Sequence, residues 1–154
     1  MDLSNAPNEV IFYALNKVID VLIRKYDELG LRASSEWAEG LEVRIDSPTK
    51  GTILGVKYTE QLVNGRESGP MPPVDPIKKW VQNKLGITGK RGQRIAWAVA
   101  TKIKNEGTEI YKQGGTDLLQ VLDDKETMDI FAQGIKEYYQ NRIKDELLTM
   151  FKKL

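Results

Sequence analysis

The sequence holds neither cysteine nor histidine, and these two absences exclude most familiar site chemistry. Without cysteine there is no disulfide and no thiolate nucleophile, and without either residue the usual zinc site cannot be built. Without histidine the commonest general base near neutral pH is missing, and the Ser-His-Asp arrangement with it. Catalysis would fall to carboxylates, lysine or tyrosine, so no enzymatic activity, cofactor or metal is expected. Long apolar runs are missing too: none approaches the roughly 18 residues that a membrane span needs. The first residues, MDLSNAPNEV, lack the basic start and apolar core of a secretory signal, and a protein assembled in a cytoplasm is expected. Nor does one sign of charge dominate. The 23 basic residues nearly balance the 22 acidic ones, which argues against a wholly basic nucleic-acid binder.

What is present reads as a single α+β domain over residues 1–154, since this length supports one core and is short for two. A long N-terminal helix is predicted over 7–30. Val10, Ile11, Leu15, Val18, Ile19, Leu22, Tyr26 and Leu29 recur at three- and four-residue steps, with Ser4 or Asn5 as cap and Gly30 just past the end. The alternation of Leu41, Val43 and Ile45 with charged residues predicts a strand. The turn-rich 47–51 and the strand-forming 52–58 complete a small antiparallel hairpin. A long C-terminal helix is predicted from about Asp124. Its apolar positions Met128, Phe131, Ile135, Tyr138, Ile143, Leu147, Met150 and Phe151 hold a helical period over about seven turns.

Between hairpin and C-terminal helix lies the densest punctuation. Residues 64–73 (NGRESGPMPP) contain two glycines and three prolines and cannot be regular structure. Asp75 as cap and Pro76 in the first turn predict a helix ending at Gly86, with Ile77, Trp80, Val81 and Leu85 on one face. A basic loop over 86–92 precedes a second central helix, 93–106, closed by Gly107. Trp80 reads as core, whereas Trp37 and Trp97 fit either core or a protein contact.

Three patterns bear on chemistry. Residues 76–104 carry Lys78, Lys79, Lys84, Lys90, Arg91, Arg94, Lys102 and Lys104 and no acid. They read either as solvated helix faces or as a phosphate-contacting surface, with Lys90, Arg91 and Arg94 the natural contacts to DNA or a partner. The glycines of 86–92 lack the spacing of a phosphate-cradling loop. Asp123, Asp124, Glu126 and Asp129 match no calcium-loop spacing, and acids at a helix start are expected on dipole grounds.

The ordered set Gly65-Arg66, Gly69-x-Met71-Pro72-Pro73, Ile77-x-x-Trp80, a helix with Trp97, and Gly107-Thr108 resembles the small head–tail joining, tail-completion or neck proteins of tailed bacteriophages. It covers about a third of the chain, and the flanking helices and hairpin suit it. Some relatives keep a compact Pro-Phe element after the sheet, where this chain has a two-helix insertion, so the resemblance specifies no single tier of the neck or tail. It implies a structural virion protein without catalysis, repeated in a homo-oligomeric ring at the head–tail junction or tail. Adjacent portal, connector or tail proteins are the implied neighbours, and packaged DNA a possible non-specific contact. The alternative, resting on residues 76–104, is a small nucleic-acid-binding module.

Overall fold

A computed structural model describes residues 6–152. Helix α1 (Ala6–Glu28) and the one-turn helix α2 (Glu36–Glu39) precede strands β1 (Glu42–Ser47) and β2 (Lys50–Leu54). Helices α3 (Thr59–Asn64), α4 (Val74–Leu85), α5 (Gly89–Glu106) and α6 (Glu109–Lys112) follow, then a 3-10 turn (Gln120–Asp123) and helix α7 (Lys125–Phe151). This is the expected α+β architecture. The candidate caps Ser4 and Asn5 lie outside the described residues. Contacts divide the chain into two units. One holds α1 as far as Arg24, Leu41–Gly55 and the chain from Gln120; the other holds Lys25–Gly40 and Val56–Leu119.

In the first unit, α1 buries Val10, Ala14 and Val18. The hairpin lies under this helix. A Cβ on Gly51 would meet Leu15 Cδ1 at 2.5 Å and Ile11 Cγ2 at 3.0 Å, so glycine is the residue that lets β2 approach. Strand β1 pairs antiparallel with β2, Val43 opposite Ile53 and Ser47 opposite Lys50, with an irregularity between Ile45 and Ser47. The connection is therefore Pro48-Thr49, shorter than the predicted 47–51, and β2 stops at Leu54 instead of reaching Tyr58. The covering helix that so small a sheet needs is α1.

Helix α7 approaches α1 backbone to backbone at Gly134, whose Cβ would stand 3.1 Å from Ala14 Cα. Around this contact Tyr13 donates a 3.3 Å hydrogen bond to Glu137, and Arg142 pairs with Glu9 at 3.2 Å. Further along, the predicted apolar period is not matched by burial among the described residues. Ile143, Leu147, Leu148, Met150 and Phe151 are each about half exposed or more, so the apolar period of α7 outruns the surface that its own unit offers.

In the second unit, Trp37 is the buried anchor. Its ring lies 4.5 Å from that of Tyr26, and its indole N–H donates to Thr59 Oγ1 at 3.0 Å. This resolves Trp37 as core. Helices α4 and α5 pack as a hairpin, with Val81 of α4 and Gly92, Ala96 and Ala100 of α5 as their buried positions. Helix α4 starts at Val74, with Pro73 at the cap and no side-chain cap bond. Asp75 therefore sits inside the first turn, where its charge suits the dipole, and is not the predicted cap. Helix α5 begins at Gly89, not Gln93. The glycine-rich loop shrinks to 86–88, because Gly92 lies within the helix where a Cβ would come 2.6 Å from Ile87 O. Leu118 and Leu119 form a turn that leads into the 3-10 segment.

Candidate functional site

Four of the motif residues, Gly65, Arg66, Gly107 and Thr108, converge on one clamp. Gly65 ends α3 at φ +71°, donating its N–H to Gln61 O at 3.0 Å, and Gly107 ends α5 at φ +76°. Forty-two positions apart in the chain, Arg66 and Thr108 bond reciprocally. Arg66 N–H donates to Thr108 Oγ1 at 2.8 Å, and Thr108 N–H donates to Arg66 O at 2.8 Å. Thr108 Oγ1 also accepts from Tyr111 N–H at 3.3 Å, capping α6. Both glycines are required by space as well as by backbone. A Cβ at Gly107 would meet Arg66 O at 2.8 Å and Ser68 N at 3.2 Å, and one at Gly65 would collide with Tyr111 N.

The proline segment is tied to the same point. Gly69 N–H donates to Lys104 O at 2.9 Å, satisfying a carbonyl near the end of α5 that the helix leaves open. The Arg66 guanidinium donates to Pro70 O at 2.9 Å. Met71 is half-buried, Pro72 buried and Pro73 exposed at the start of α4, and Ile77 is half-buried on that helix. The two ends of the motif are thus one structural lock, closed beneath the α4–α5 hairpin.

One part of this lock has no counterpart in the sequence reading. Thr116 donates its N–H to Val63 O at 2.6 Å and its hydroxyl to Leu62 O at 2.8 Å, and Gly115 would carry a Cβ 2.7 Å from Val63 O. The Gly-Gly-Thr run at 114–116 is its only sequence signal, and it reads locally as a connector.

Trp80 and Trp97 stand outside the lock, on the hairpin it holds. Trp97 is 51% exposed, on the solvent side of α5. Trp80 is 41% exposed, which corrects its reading as core: Val81 takes the buried position of that turn. Its ring lines a groove of about 420 Å³ with Tyr58, Leu62, Pro76 and Ile110. Glu36 and Lys79 form an ion pair on the groove's rim, and the Lys79 ammonium draws the Glu36 carboxyl below its ordinary range. Burial pushes the Tyr58 phenol up, so it stays a neutral hydroxyl at physiological pH. An apolar wall with a neutral phenol and a paired rim can seat an apolar group or a segment of chain. It offers no nucleophile poised by a neighbouring base.

Lys90, Arg91 and Arg94 are exposed on the first turns of α5, so Lys90 and Arg91 lie on the helix and not on the expected loop. Asp123, Asp124, Glu126 and Asp129 are exposed, and among the described residues no three acidic side chains converge as a metal cluster. Comparison of the chain with protein-family models, curated proteins and solved structures finds no match.

Proposed function

We propose that this chain is a structural subunit of a tailed-phage virion, repeated in a homo-oligomeric ring in the neck, head–tail connector or tail-completion region. It would be assembled in the host cytoplasm against adjacent portal, connector or tail proteins. The observation that carries this reading is the Gly65-Arg66/Gly107-Thr108 lock. It is built from four of the residues on which the phage-neck resemblance rests. Its effect is to fix a helical hairpin from which Trp80 and Trp97 project about half exposed. Tryptophan held on rigid elements is what protein interfaces favour, since little conformational freedom remains to be lost on docking.

The exposed end of α7 supports the same reading. Five large apolar side chains left in water on one helix end exceed the scattered exposure expected of a monomer surface. Closed cyclic assemblies bury such surfaces by repetition.

Electron microscopy and mass measurement of the purified protein over a concentration series test the proposal. Closed rings of one copy number are the expected result. A protein that stays monomeric up to its solubility limit, alone and with neighbouring portal or tail proteins added, overturns it.

A further inference from the structure

The eight cations of 76–104 are not equivalent once folded. Lys79 pairs with Glu36, Lys102 with Glu109 at 3.5 Å, and Lys84 donates to the carbonyls of Gly30 and Arg32 at 2.8 and 2.9 Å. Lys78, Lys90, Arg91, Arg94 and Lys104 have no carboxylate within ion-pair distance among the described residues. Four of these five lie on α5.

Their placement on that helix is regular. Lys90, Arg94, Trp97, Thr101 and Lys104 follow one another at steps of four, three, four and three, and all are exposed. Those steps keep side chains on one face. That face lies opposite the buried positions Gly92, Ala96 and Ala100, with Arg91 on its flank. At 1.5 Å per residue the stripe is about 21 Å long.

The arrangement also works against the helix itself. The first turn of α5 has no acidic residue and no side-chain cap bond, and it carries Lys90 and Arg91 at the positive end of the helix dipole. Cations in that position oppose the dipole, where an acid would suit it. A stability-neutral surface would not place them so, whereas an external polyanion would relieve both the dipole and the mutual repulsion.

We propose that this face of α5 binds the phosphate backbone of duplex nucleic acid, with Lys90, Arg91, Arg94 and Lys104 meeting phosphates and Trp97 packing between them. The face is convex, and a helix of about 10–12 Å diameter suits a major groove about 12 Å wide. A single strand is more often held in a concave basic channel with stacking aromatics, whereas these cations lie along an exposed helix face. The proposal does not rest on ring assembly.

The test is binding of a labelled mixed-sequence DNA duplex to the full-length protein across a salt series. Four phosphate contacts predict a log–log slope of about −3.6, and K90Q/R91Q/R94Q should reduce its magnitude by about 2.7 and weaken low-salt binding more than about tenfold. Duplex addition should quench tryptophan emission, and W97F should remove that change. K90E/R91E should raise the melting temperature, because the acids suit the dipole, while abolishing binding. Coincident isotherms for the wild type and the triple glutamine variant, or wild-type binding by K90E/R91E, overturn the proposal. So does tighter binding of polyglutamate than of duplex, which would assign the face to an acidic protein, or of single strand than of duplex. The mass of the triple variant reports on ring formation separately.

Discussion

At the residue scale, glycine in this chain does two different jobs, and substitution separates them. Gly30 and Gly107 both have positive φ, at +65° and +76°. Nothing lies within 4 Å of a Cβ built on Gly30, whereas one on Gly107 meets Arg66 O at 2.8 Å. Gly30→Ala should therefore cost only backbone strain, about 1 kcal/mol. Gly107→Ala adds a backbone collision in the lock and should cost about 3 kcal/mol or more. Urea denaturation of the two variants measures the difference directly, and equal costs would mean that the lock is not closed in solution. Thr108→Val keeps the shape but removes the acceptor for Arg66 and Tyr111 N–H groups. Loss of the cap and of the cross-chain bond should cost about 1–2 kcal/mol.

At the scale of elements, α7 gives the sharpest contrast. Its first half is seated on α1, and Gly134 is where the two backbones meet. Gly134→Leu should force the helices apart and destabilise by about 1–3 kcal/mol, despite leucine's better helix propensity. Beyond Arg142 the large apolar side chains of the helix are about half exposed or more, and a short unsupported helical end is marginal in water. Amide exchange should therefore be fast over 143–151 and slow over 127–138 in unassembled protein. Uniform protection along α7 in a proven monomer would contradict this.

The same elements show what could be read from sequence. The helical period of α1 and α7 and the alternation of β1 were legible because they depend on local spacing. Two errors came from reading glycine and the apolar period only locally. Gly92 reads as loop punctuation, yet it is glycine because Ile87 crosses the helix there. Trp80 and the distal α7 positions keep the apolar period, but period alone does not say whether a partner surface is present. The lock was half legible. Its Gly-Arg and Gly-Thr ends stand out as motif residues, but their pairing across 42 positions, and the support from Thr116, come from tertiary geometry.

For the molecule as a whole, the missing histidine and cysteine make a prediction about pH. Asp27, Glu36, Asp117 and Glu137 all have carboxyls held below the ordinary range, mainly by hydrogen bonds from Arg32, Lys79, Lys25 and Gln133 respectively. A depressed folded pKa contributes stability that is present above the unfolded value, about 4, and is lost as pH falls through the folded one. At the other end, Lys112 is raised by the hydrogen bonds it donates to Glu106 and Glu109, and Tyr26 by burial. Raised groups contribute stability that is present below their unfolded values, near 10, and is lost as pH rises through the folded ones. Between these limbs no side chain titrates at its ordinary pKa. The urea midpoint should therefore stay level from about pH 5 to about pH 9 and fall on both sides. Ring formation should be equally insensitive over that range, since docking through tryptophan and aliphatic side chains moves no proton. A transition in either quantity centred near pH 6.5 would require a strongly shifted carboxylate or lysine at the interface. It would move the proposed assembly contact from exposed apolar side chains to charged ones.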